Sequence, residues 1–171
     1  MPPRPRTSRR TRRSARAYAI LLPAVAATVA LAGCASTVSL EHAEDAAAVE
    51  CADVVVRLPD VVAEQAERQT DAQGTGAWGD PAAVLLRCGV PTPGPTEDRC
   101  VTVDGVDWVI DESDAPRYRF TTYGRTPAVE VVVDNEIVSG TTAITDLANA
   151  VSVIPADGAC TTVTDPADVT P

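Results

Sequence analysis

Cys100–Ile110 reads CVTVDGVDWVI, and this stretch decides the fold class. Val101-Thr102-Val103 and Val106-Asp107-Trp108 flank Asp104-Gly105. Two short apolar runs joined by Asp-Gly predict a β-hairpin. A type I′ turn needs positive φ at both central positions, which Asp tolerates and Gly adopts freely. Further strand signals lie on both sides. Ala83–Leu86 predicts a buried strand ending at Arg87-Cys88-Gly89. Arg117–Tyr123 alternates charged or polar residues with Tyr118 and Phe120, and Ala128–Val133 (AVEVVV) predicts another strand. Gly124-Arg125-Thr126-Pro127 links those two, and Asp134-Asn135 is a turn candidate. Val90–Pro95 (VPTPGP) is a proline loop that cannot form a ladder.

Helical spacing brackets this β-rich middle. Between Asp45 and Leu58, Ala47, Cys51, Val54, Val55 and Leu58 recur at the spacing of one helical face. Glu44 and Asp45 suit its positive end, and Pro59 closes it. The run Val54-Val55-Val56 also fits a strand. Ile144, Leu147, Ala148, Val151 and Ile154 predict a second helix over Thr142–Ile154, closed by Pro155. Val61–Arg68 carries a weaker helical pattern. Gln73-Gly74-Thr75-Gly76 reads as a flexible loop; no Gly-Lys-Ser/Thr follows it, so it is no phosphate loop. Trp78-Gly79-Asp80-Pro81 reads as a tight turn. Short connections favour antiparallel pairing. The expected fold is α+β: a small antiparallel sheet of about four strands, with an N-terminal and a C-terminal helix packed on it, and two disulfides.

The N-terminus carries an address. Residues 1–16 hold seven Arg, and Ala17–Ala32 runs 16 residues without a charge. That is shorter than the roughly 20 residues of a spanning helix, and Pro23 interrupts it. Leu31-Ala32-Gly33-Cys34 ends the run as a lipoprotein precursor does, with small residues before a cysteine. Residues 1–33 are therefore expected to be a lipoprotein signal peptide, with Cys34 the lipid attachment point. Residues 34–44 follow as a lipidated tether, 45–160 as a single domain, and 161–171 as a disordered Thr/Asp/Pro tail. An uncleaved signal anchor and a plain secretory signal are the competing readings. Ser8-Arg9-Arg10 raises twin-arginine export, but Thr11-Arg12-Arg13 stands where hydrophobic residues belong.

Charge narrows the partners. All 24 Asp and Glu lie after Cys34 with only seven Arg, a net −17 for that part. Such a surface repels phosphate backbones, so nucleic acid is not an expected partner. The chain has no Lys and only six aromatic residues, so Ala and Val must fill most of the core.

With Cys34 assigned to lipid, Cys51, Cys88, Cys100 and Cys160 remain. An even number in an exported chain implies two disulfides and three possible connectivities. The expected pairs are Cys88–Cys100 and Cys51–Cys160. The spacings of 37, 12 and 60 lack the close Cys pair of a zinc site, and no metal is expected.

Trp78–Cys88 (WGDPAAVLLRC), Gly89-Val90-Pro91, Cys100–Trp108 (CVTVDGVDW) and Tyr123–Val129 together resemble an actinobacterial envelope family catalogued as domain of unknown function 3515. The resemblance covers roughly residues 45–160. It implies an exported, often lipid-anchored protein without an assigned activity, and it carries over no catalytic residue.

Nucleophilic catalysis needs a base, most often His, and the single His42 falls in the tether. Asp104, Asp107, Asp111, Glu112 and Asp114 crowd together, but acids cluster readily in so acidic a chain. Calcium at Asp111–Asp114 is conceivable, yet the spacing matches no EF-hand loop. Trp78, Asp80, Arg87, Trp108 and Arg125 form the candidate binding patch, through stacking, cation–π contact and charge-assisted hydrogen bonds. The competing reading buries both Trp in the core and pairs Arg87 or Arg125 with Asp80. The functional expectation is a non-catalytic binding or accessory module, lipid-anchored at the outer face of the cytoplasmic membrane. It needs no cofactor, and its partner is an unidentified envelope component or protein. The alternative is an envelope hydrolase using Asp/Glu chemistry.

Overall fold

The computed structural model describes residues 36–161. The signal-peptide assignment, Cys34 and the tail from residue 162 lie outside the described residues. In chain order the elements are α1 (Val49–Val55), β1 (Val61–Val62), β2 (Gln65–Arg68), β3 (Thr75–Trp78), β4 (Val84–Val90), β5 (Arg99–Val103), β6 (Val106–Asp111), β7 (Arg117–Thr122), β8 (Ala128–Asp134) and α2 (Gly140–Val151).

The four-strand expectation is corrected: the sheet has eight strands, all antiparallel, in the order β1-β2-β3-β4-β8-β7-β6-β5. Two up-and-down meanders, β1–β4 and β5–β8, join where β4 pairs with β8. The helices are short beside that sheet, with 7 residues in α1 and 12 in α2. α2 contacts central β8 and also β1 and β5, the two edge strands, so the sheet curls around it.

The Asp-Gly hairpin forms as its turn chemistry requires. Asp104 has φ 47° and Gly105 φ 78°, and Val103 pairs directly with Val106. Val61–Arg68 is not helical. It forms the β1–β2 hairpin, turning at Ala63 and Glu64 with φ 47° and 63°. The Ala63 amide donates to Asp146 Oδ2 on α2 at 2.8 Å, so a tertiary contact holds a turn its own residues do not favour. Thr75 and Gly76 also leave the expected loop and enter β3, which is buried throughout. Gly76 is there for space: a Cβ would lie 2.7 Å from the Trp78 ring and 2.9 Å from Leu58.

The core face follows the strand alternation. Val84, Leu86 and Cys88 of β4 pair with Val133, Val131 and Val129 of β8. Phe120, Trp108 and Val106 extend the layer, and Ile144, Leu147 and Val151 of α2 close it. Cys51 and Val54 of α1 join the same core.

Two disulfides are present, but the expected pairing is corrected. Cys51 bonds Cys88 and Cys100 bonds Cys160, with Cα–Cα distances of 5.5 and 5.7 Å. The reason is topological. Arg99–Val103 crosses to the edge of the sheet opposite β1, while Cys88 sits in a central strand under α1.

Candidate functional site

The five patch residues do not converge. Trp78 and Trp108 are fully buried in the core. The Trp78 indole donates to Pro59 O at 2.9 Å, whereas Trp108 Nε1 has no partner among the described residues. Asp80 is exposed and pairs with Arg68 at 3.0 Å, rather than with Arg87 or Arg125. Arg125 is 5% exposed. Its guanidinium donates to the carbonyls of Ile154 and Ser152, and to Gly105 O at 3.2 Å. Burial pushes that guanidinium down from its ordinary range, against the opposing charge of Asp107. Arg125 thus fastens the end of α2 to the hairpin turn.

Arg87 belongs to a different set, on the sheet face turned away from the core. Glu130, the one acid within AVEVVV, stands opposite Arg87 in the β4–β8 register. Arg87 donates to Glu130 Oε1 through Nε at 3.1 Å and Nη2 at 2.7 Å. Arg119 approaches Oε2 at 3.3 Å. One carboxylate, its side chain 9% exposed, is held by two arginines that reach solvent. Ser39–Glu41 borders this face, leaving a depression of about 260 Å³. The signal for it was a lone acid in an apolar strand.

Arg68 is a hub that its place in an apparent helical pattern concealed. It donates to Gly79 O at 2.8 Å, to Ser36 O at 2.6 Å and to Ser36 Oγ at 3.0 Å. The stretch expected as a tether is therefore docked where it is described. Val38 forms a parallel bridge with Thr70, and its amide donates to Gln69 O at 2.8 Å. The Leu40 amide donates to Asp71 Oδ1 at 2.9 Å. Exposed His42 follows.

A cleft of about 410 Å³ opens between the core face of β5–β7 and the start of α2. Val101, Val103, Ile110, Phe120 and Ile144 supply its apolar walls; Asn135, Ser139 and Thr141 supply polar groups. Arg99 and Glu112 pair across 3.6 Å among its lining residues. Among the described residues no three His, Cys, Asp or Glu side chains group as a metal site, and no helix is long and apolar enough to cross a membrane.

Fold and cleft define a disulfide-stapled, antiparallel β-sheet module with a half-open amphipathic groove. The family model described as protein of unknown function DUF3515 matches residues 15–158, and the chain belongs to that family. No curated protein and no solved structure matches the chain.

Proposed function

We propose that this chain is an exported lipoprotein of an actinobacterial envelope, held at the outer face of the cytoplasmic membrane through Cys34. Its domain binds an envelope component without transforming it. The cleft carries the binding reading. Its lining sets apolar side chains beside polar and charged groups, a mixture that can both bury and orient a small ligand. Cys51, Cys88, Cys100 and Cys160 are consumed in disulfides and no His is among the residues that line the cleft, so its described walls offer no thiol or imidazole.

Titrating the domain with a disaccharide-peptide fragment of peptidoglycan should shift the NMR signals of Val101, Tyr118 and Ile144. Saturation without any shift there rejects this ligand class. Turnover of the fragment, abolished by a single Asp→Asn change, would replace binding with catalysis. Lipid labelling should be lost in Cys34→Ala; labelling that persists sinks the anchor.

A further inference from the structure

We infer that the exposed side of α1 rests on the lipid bilayer, so that the domain sits flush on the membrane. This rests on the Cys34 anchor of the proposed function. α1 buries Cys51 and Val54 and turns Val49, Ala52, Val55 and Val56 outward. Val49 is 75% and Val56 76% exposed. An outward apolar stripe on a short helix calls for a partner.

The anchor's position selects that partner. Ser36 is fixed by Arg68 and Val38 by Thr70. Only Ala35 separates Cys34 from Ser36, a reach of about 7 Å at most. The acyl chains therefore enter the membrane beside the Gln69–Asp71 segment. The same segment runs on to Gln73 and Gly74, which line an apolar dimple of about 220 Å³ with Ala52, Val55 and Val56. From Thr70 to Gly74 the chain spans about 14 Å at most. The helix thus lies within reach of the surface into which its own anchor inserts. Side chains of this kind bury at the boundary between headgroups and acyl chains, and they add to the hold of the lipid. Glu50 and Asp53 share the helix, and Asp53 pairs with Arg57 at 3.5 Å, so a zwitterionic surface fits better than an anionic one.

The test uses the lipidated full chain carrying Val56→Trp, reconstituted in phosphatidylcholine vesicles with brominated acyl chains. A mass shift first verifies the lipid; its absence would count against the anchor alone. With the lipid present, the introduced indole should lose most of its fluorescence. Arg68→Ala combined with Asp71→Ala frees the linker and should restore it. A lipidated protein that stays unquenched overturns the inference, as does concentration-dependent self-association of the unlipidated domain that is abolished by Val56→Asp, which would assign the stripe to a second copy. In the unlipidated domain the Val38 and Leu40 amides should exchange slowly; fast exchange there removes the fixed linker and the inference with it.

Discussion

Glu130 shows how a single residue can be exposed by register yet buried by its partners. It stands on the outer sheet face, where β4 and β8 alternate outward, and two arginines enclose it. Glu130→Ala leaves both guanidiniums without their carboxylate. Because Arg87 and Arg119 still reach water, the loss should be about 1–3 kcal/mol rather than that of a fully buried pair. Urea denaturation should show a lower midpoint at unchanged slope, and an unmoved midpoint would remove the triad from the stability account. Asp71 makes a pH-dependent contact. The Leu40 amide, then the Ser39 hydroxyl, hold its carboxyl below the usual carboxylate range. A depressed folded pKa means that docking of the linker is complete above about pH 4 and is lost as the carboxyl protonates in stronger acid. The Leu40 amide proton should titrate with a midpoint below that of an unstructured Asp; a midpoint at or above it excludes the bond. Of the five residues singled out from sequence, the tryptophans went to the core because burial of large rings outweighs surface recognition. Arg87 was legible at the end of a buried strand, though it lies within β4. Its partners were not, since strand order decides which residues face it.

At the scale of elements, legibility follows turn chemistry. The β5–β6 hairpin was readable because Asp104-Gly105 suits positive φ. The β1–β2 hairpin was not, because its turn is Ala63-Glu64 and a contact from α2 holds it. β3 was hidden for another reason: Gly76 signals flexibility in sequence but makes room for Trp78 in space. The helix ahead of Pro59 was readable from its spacing, although its span is shorter and Val55 turns outward. Gly105→Val isolates the turn's contribution. A Cβ at that position meets nothing within 4 Å, so only backbone strain is added. The expected loss is about 1–2 kcal/mol, read from the thermal midpoint. An equal midpoint would mean that the turn rearranges without strain.

At the scale of the whole molecule, the sheet is two meanders stitched along β4 and β8. Local pairing within each meander could be inferred from short loops, but the stitch could not, because it joins strands far apart in sequence. The even cysteine count announced two disulfides, yet the pairing waited on that topology. The closed loops of 37 and 60 residues each contribute about 4 kcal/mol in the chain-entropy account. That is a large share of a domain's usual 5–15 kcal/mol. Cys51→Ser with Cys88→Ser should lower stability by about that amount. Non-reduced peptide mapping should find Cys51 with Cys88 and Cys100 with Cys160, and any crossed pair contradicts the fold. The pairing has a consequence for biogenesis. Among Cys51, Cys88, Cys100 and Cys160 the first bonds the second and the third the fourth, so the bridges are neither nested nor interlaced. When a chain emerges N-terminus first, Cys88 is the first of these partners that Cys51 meets. Oxidation in order of arrival would give this pairing directly, whereas the Cys88–Cys100 bridge, close as those two are in sequence, would have to be reshuffled to reach it.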